Sequence, residues 1–305
     1  MQEIFNRYID YLRAERNASR YTVRNYTTDL LDFFNFLRDT KIDSLREVDK
    51  RVLRDYLSYL VKQGFAKSRI ACKLSAIRSF YRYLIREEVI STSPVANTSS
   101  PKLDKRLPSF LTSDEIKRLL ETPDLTTPQG QRDRAILELL YASGLRVSEL
   151  VKLKMEQVNT DSHEFYVLGK GSKERVVLIG QPAADAINTY LAEGRLKLFT
   201  GKKSNALFIS RFGKGLSERS IQRIIGKYAK IAGIEKGVRP HMIRHTFATH
   251  LLDGGADLRV VQELLGHSNL SSTQVYTHVT QSQAKKIYMS AHPMARKRDK
   301  NFENS

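Results

Sequence analysis

The chain has 305 residues, 41% of them hydrophobic and 28% charged, and its 51 Lys+Arg against 33 Asp+Glu leave a formal net charge of +18. That length predicts two globular domains, the composition excludes a disordered chain, and no run of eighteen apolar residues offers a membrane span. So large a basic excess points to a polyanion, with nucleic acid the leading partner. It is spread over both parts, +6 within residues 1–100 and +12 in the remainder, as a two-lobed clamp would require. The start, MQEIFNRYID, lacks the basic flank and apolar core of a secretory signal, and the single Cys72 cannot form an internal disulfide, so a reducing cytoplasm is expected.

In the first hundred residues apolar side chains recur at helical spacing, as Val23, Tyr26, Leu30, Phe33 and Leu37 and again as Ile70, Leu74, Ile77 and Phe80. With segments near 2–15 and 50–63 they predict about four helices. The last carries Lys67, Arg69, Lys73, Arg78 and Arg82 at non-core positions, either a solvated face or a surface turned to DNA. The stretch STSPVANTSSPKLDKRLPSF, with Pro94, Pro101 and Pro108 among small polar residues, reads as an interdomain linker. Beyond it, Thr112 and Glu115 form a capping box that opens a helix, and a longer apolar helix over about 131–142 ends near Gly144. HEFYVLGKGSKERVVLIG alternates, turns on glycines and alternates again, predicting a β-hairpin with its tip at 169–173. Everything from 217 onward reads helical. Pro240 suits a first helical turn, Gly254 and Gly255 suit a stop, and Ser271 with Gln274 makes another capping box.

The motif HMIRHTF can be read two ways. His241 and His245, four apart, could share a zinc on one helical face. Met242, however, stands where a zinc hydrolase of that kind carries its glutamate base, and Arg244 would set a positive charge beside the cation. His241 and Arg244 at i and i+3 also share a face and can both donate to phosphate oxygens, which makes an anion site. Three further segments add to it. GLRVSEL places Arg146 just past a glycine break with Glu149 three residues on to hold the guanidinium. GKGSKER places Lys170 on the hairpin tip. LLGHSNLSSTQVYTHV places His267 after a helix-ending glycine and Tyr276 nine residues later. His245 and His250 are taken as structural, with the DNA backbone as their alternative partner.

Taken in order, Arg146, Lys170, His241-x-x-Arg244, His267 and Tyr276 match the signature of the tyrosine recombinases, and the chain resembles that phage-integrase-type family along nearly its whole length. Its length, the GKGSKER hairpin, LLGHSNLSSTQVYTHV and the tail KKIYMSAHPMARK are most similar to the Xer-type site-specific recombinases. The resemblance implies a mainly α fold with a small β-sheet in the C-terminal domain, arranged as a two-domain C-shaped DNA clamp. Residues 1–93 would be a helical core-binding domain, 94–110 a linker, 111–282 an α+β catalytic domain, and 283–305 a tail docking on a neighbouring protomer.

The resemblance also implies chemistry without a metal or cofactor. Tyr276 would attack the scissile phosphate to give a 3′-phosphotyrosyl link, Lys170 would protonate the 5′-oxygen, and Arg146 and Arg244 would clamp the non-bridging oxygens. His241 and His267 would complete the cradle. The implied partners are double-stranded DNA with paired inverted half-sites and a homo- or hetero-tetramer on two duplexes. Many members are controlled by an FtsK-type DNA translocase. The role implied is Xer recombination in chromosome dimer resolution, with a mobile-element integrase or an inactive DNA-binding protein on the same fold as rivals.

Overall fold

The computed structural model describes residues 1–95, 98, 109–168, 174–199, 204–266 and 278–295. The chain divides into two compact units, Met1–Lys105 and Arg106–Ser305. Among the described residues no helix is long and apolar enough to cross a membrane.

Four helices build the first unit: α1 (Gln2–Ala14), α2 (Arg20–Asp39), α3 (Lys50–Lys62) and α4 (Lys67–Arg86). Two starts are fixed by side-chain caps that satisfy otherwise orphaned amides. Ser19 Oγ accepts from the Thr22 amide at 3.1 Å, and Asp49 Oδ1 accepts from those of Arg51 and Val52 at 2.8 and 2.9 Å. The apolar stripes expected from periodicity meet in one core that contains Tyr8, Leu30, Phe33, Tyr56, Leu74, Ile77 and Phe80.

The basic face expected on α4 is only partly a surface. Lys73 is 1% exposed, with its ammonium 3.6 Å from Asp29 and paired also to Asp32, and Arg69 pairs with Asp29. Two of the cations considered for DNA thus hold α4 against α2, and Arg78 donates to the Thr98 carbonyl. Lys67 and Arg82 are exposed. Position 73 lies beside Leu74 and three residues after Ile70, at the edge of the apolar stripe, so helical geometry carries it inward whatever its charge.

The second unit begins with α5 (Ser113–Glu121), opened by the reciprocal Thr112–Glu115 capping box. Next, α6 (Pro128–Ser143) starts at the Thr127 cap with Pro128 in its first turn, three residues before the apolar pattern does. Almost every α6 residue from Gly130 to Ser143 is buried, as befits the central helix of a domain. A short α7 (Val147–Leu150) follows, then a three-stranded antiparallel sheet in the order β1 (Val158–Asn159), β2 (Glu164–Leu168), β3 (Glu174–Leu178). The expected hairpin is β2–β3, paired from Glu164↔Leu178 to Leu168↔Glu174, and its tip lies outside the described residues. The chain continues through α8 (Gln181–Thr189), a π-helical turn at Tyr190–Gly194 and α9 (Arg195–Leu198), none of which the sequence reading foresaw.

The helical end comprises α10 (Glu218–Ile231), α11 (Pro240–Asp253), α12 (Leu258–Leu265) and α13 (His278–Ala291). Pro240 opens α11, and Gly254 with Gly255 (φ +86°) closes it. Ala284, Tyr288 and Ala291 are buried in a cluster with Phe247, Leu251, Val261 and Leu265, and the Tyr288 hydroxyl donates to the Ala142 carbonyl at 3.0 Å. Of the tail's apolar residues, Ala284 and Tyr288 are thus buried against the chain's own second unit, Ile287 is half-buried and Met289 is 36% exposed. The Ser271–Gln274 capping box lies outside the described residues.

Candidate active site

The site starts at the end of α6. Gly144 takes the left-handed conformation (φ +58°) that terminates the helix, and a Cβ there would lie 2.5 Å from the Phe247 ring. The reversal brings Arg146 to the N-cap of α7, where Glu149 serves it twice: Oε2 accepts from the Arg146 amide at 2.8 Å and Oε1 from its Nη1 at 3.0 Å. The function expected of Glu149, holding the guanidinium, is therefore met. Arg146 Nη2 also reaches the Gly266 carbonyl at 3.3 Å, and its side chain remains 36% exposed.

On α11, Arg244 donates from Nη1 to the Gly144 carbonyl and from Nη2 to the Leu265 carbonyl, both at 2.6 Å. Burial, reinforced by the charges of Arg146 and Arg175 and partly offset by Glu149, lowers its pKa to about 10, so it remains a cation at neutral pH. His241, one turn earlier on the same helix, is exposed. His245 is half-buried with its ring 6.2 Å from that of Phe110. His250 is buried, and its Nδ1 is 2.9 Å from the Tyr141 hydroxyl. That contact and its burial make it a core histidine. Among the described residues no group of three or more His, Cys, Asp or Glu is placed to hold a metal.

Arg175, near the start of β3, is not among the residues the sequence singles out. Its Nη2 donates to Glu149 Oε2 at 2.8 Å and its Nη1 to the Leu264 carbonyl at 2.6 Å. Burial alone would raise the Glu149 pKa, but the Arg146 amide and the charges of Arg175 and Arg146 outweigh it and hold the carboxyl below its ordinary range. Arg146 and Arg175 thus pair with the Glu149 carboxylate, and Arg244 lies close enough to feel the charges of all three. The structure brings together Arg146, Arg244 and Glu149 from the sequence-derived set. Lys170, His267 and Tyr276 lie outside the described residues.

Two family models match the chain: the phage integrase N-terminal SAM-like domain over residues 5–88 and the phage integrase family over residues 109–283. Tyrosine recombinase XerC of Pelotomaculum thermopropionicum is 47% identical over 298 residues, covering 95% of this chain and 97% of that protein. Tyrosine recombinase XerD of Staphylococcus epidermidis is 42% identical over 295 residues, covering 97% and 100%. Among solved structures, the XerH site-specific recombinase bound to a palindromic difH substrate shares the fold, with a TM-score of 0.69 at 24% identity over 90% of this chain and 81% of that one. With both halves matched and relatives this similar over almost the full length, the chain belongs to the XerC/XerD family of tyrosine recombinases, site-specific enzymes that break and rejoin DNA.

Proposed function

We propose that the chain exchanges DNA strands by metal-independent cleavage through a 3′-phosphotyrosyl intermediate and a Holliday junction, with Arg146, Lys170, His241, Arg244, His267 and Tyr276 as its catalytic residues. The observation that carries this reading is the clustering of three guanidiniums, those of Arg146 and Arg175 paired with Glu149 and that of Arg244 close beside them. Such a cluster favours a bound anion, and guanidiniums suit the non-bridging oxygens of a phosphodiester, where charge builds up in the transition state. Tyr276 Oη attacks phosphorus and the bond to the 5′-oxygen breaks. The tyrosine proton passes to a base such as His241, and Lys170 supplies the proton that the leaving oxygen takes up. The covalent link keeps the energy of the broken bond, so the 5′-hydroxyl of a partner strand can reseal it without ATP or another cofactor.

The partners proposed are duplex DNA with paired inverted half-sites and three further protomers, identical or paralogous, on two duplexes. In that assembly the tail leaves its own groove for that of a neighbour. The relatives named XerC and XerD favour a cytoplasmic role in chromosome dimer resolution, with an FtsK-type translocase as a candidate regulator, over a mobile-element role. The test is a suicide substrate nicked beside the scissile phosphate. The wild-type chain should become covalently attached through the 3′-phosphate, and Tyr276→Phe should bind the same DNA and give no adduct. An adduct with Tyr276→Phe would overturn the assignment.

A further inference from the structure

Arg175 belongs to no part of the six-residue set, yet its guanidinium joins three segments. It sits on β3 opposite Val167, and its two bonds reach partners 26 and 89 residues away: the Glu149 carboxylate and the Leu264 carbonyl. Its side chain is 16% exposed against 36% for Arg146, so it stands behind the residue that faces solvent. Resting on the reading of Arg146 as a phosphate clamp, we propose that Arg175 is a positioning residue for strand cleavage. It fixes Glu149, through which Arg146 is aimed, and it fixes the end of α12, from which the chain runs on to His267 and Tyr276.

Three observations carry this. Glu149 Oε2 is shared between the Arg146 amide and Arg175 Nη2, while Oε1 takes the Arg146 guanidinium, so Arg175 is the counterweight that sets the carboxylate plane. The carbonyls of Leu264, Leu265 and Gly266 each accept from a different arginine: Arg175, Arg244 and Arg146 in turn. Carbonyls at a helix C-terminus lack intrahelical partners and carry the negative end of the helix dipole. Here they bind the helix end to every guanidinium of the site. Finally, Gly266 is left-handed (φ +65°), and a Cβ on it would lie 2.9 Å from Arg175 Cδ, so the turn after α12 is shaped around the Arg175 stem. A planar fork can hold two acceptors in fixed directions, whereas a lysine ammonium can retain the charge but not both directions.

The test compares Arg175→Ala, Arg175→Lys and wild type in half-site binding and in single-turnover cleavage of the nicked substrate, using an ordinary scissile phosphate or a methylphosphonate. Affinity should hold, while Arg175→Ala should lose about 100-fold in cleavage rate, the loss a misplacement of about 1 Å carries. Arg175→Lys, which keeps charge and stem and guards against a folding failure of the alanine variant, should recover only part. Replacing one charged oxygen by methyl leaves less for Arg146 to clamp, so the deficit of both variants should shrink on the methylphosphonate, as that of Arg146→Ala should. Equal deficits on both substrates, a loss confined to affinity, or wild-type rates would overturn the role of Arg175. Tyr276→Phe in the same assay separates the two readings. If it cleaves, the proposed function fails. If it is inert while the Arg175 variants cleave normally, only the positioning role fails.

Discussion

At the scale of single residues, burial has two different outcomes in this chain. Arg244 stays charged in a setting that opposes charge, and the Gly144 and Leu265 carbonyls that accept from it return only part of what water would give. On the proposed reading, a phosphate oxygen would complete its set of acceptors. His292 gives way instead: packed against Tyr288, Tyr141 and Phe247, it has its pKa pushed down to about 3 by burial and is neutral in the folded protein. In the unfolded chain it titrates near the ordinary value of about 6.5. Because its folded pKa is depressed, the unfolded state binds the extra proton below that value, and stability present above pH ~6.5 is lost progressively as the pH falls toward 3. Denaturant midpoints measured between pH 7.5 and 5 should therefore drop for the wild type and drop less for His292→Gln. An equal drop in both would assign the acid sensitivity to other groups.

Arg146 and Arg244 were legible in the sequence because each stands in a short contiguous pattern, one after a glycine break and one on a helix with His241. Arg175 lies in the same GKGSKER as Lys170 but stands in no pattern of its own. Its partners are Glu149 and the Leu264 carbonyl, and no local pattern encodes a contact that the fold alone creates.

Among the elements, the turn from α6 into α7 concentrates most of the site's geometry. Gly144 supplies the left-handed residue and the space for the Phe247 ring, and its carbonyl accepts from Arg244. Gly144→Ala should cost about 1–2 kcal/mol for the left-handed backbone, with the clash against Phe247 added, and should slow cleavage along with it. A thermal melt and a single-turnover assay on the same preparation check both. Normal cleavage in a destabilised variant would show that the turn serves only the core. Helices with strong periodicity or side-chain caps, such as α2, α3 and α5, were readable in advance. The segment from α8 through α9 was not, since Gly180 at its start offers no side-chain cap and its π-helical turn breaks the helical period. Lys73 is the opposite case: its charge suggests an outward position, yet helical geometry points it into the α2–α4 interface.

For the molecule as a whole, the net charge of +18 favours binding to a polyanion. If phosphate contacts dominate, binding should weaken with salt at a log–log slope of about −0.9 per neutralised phosphate. Each unit has its own core, so the second unit can be prepared from Arg106 onward and compared with the full chain. It should show a shallower slope. An identical slope would mean that the first unit makes no phosphate contacts. The length of the chain leads to the expectation of two units, and the chain divides into two.

The tail carries a consequence for assembly. With Tyr288 fully buried and tied to the Ala142 carbonyl, the groove it fills is already occupied before any other protomer arrives. A neighbour's tail can enter only when the resident one leaves, so linking two protomers through this groove is an exchange of like for like. The free energy of such a link would be a difference between two similar dockings, smaller than the buried face alone suggests. A ring closed by exchanges of this kind would be held together chiefly by the DNA it encloses, and would come apart once the rejoined duplexes were released.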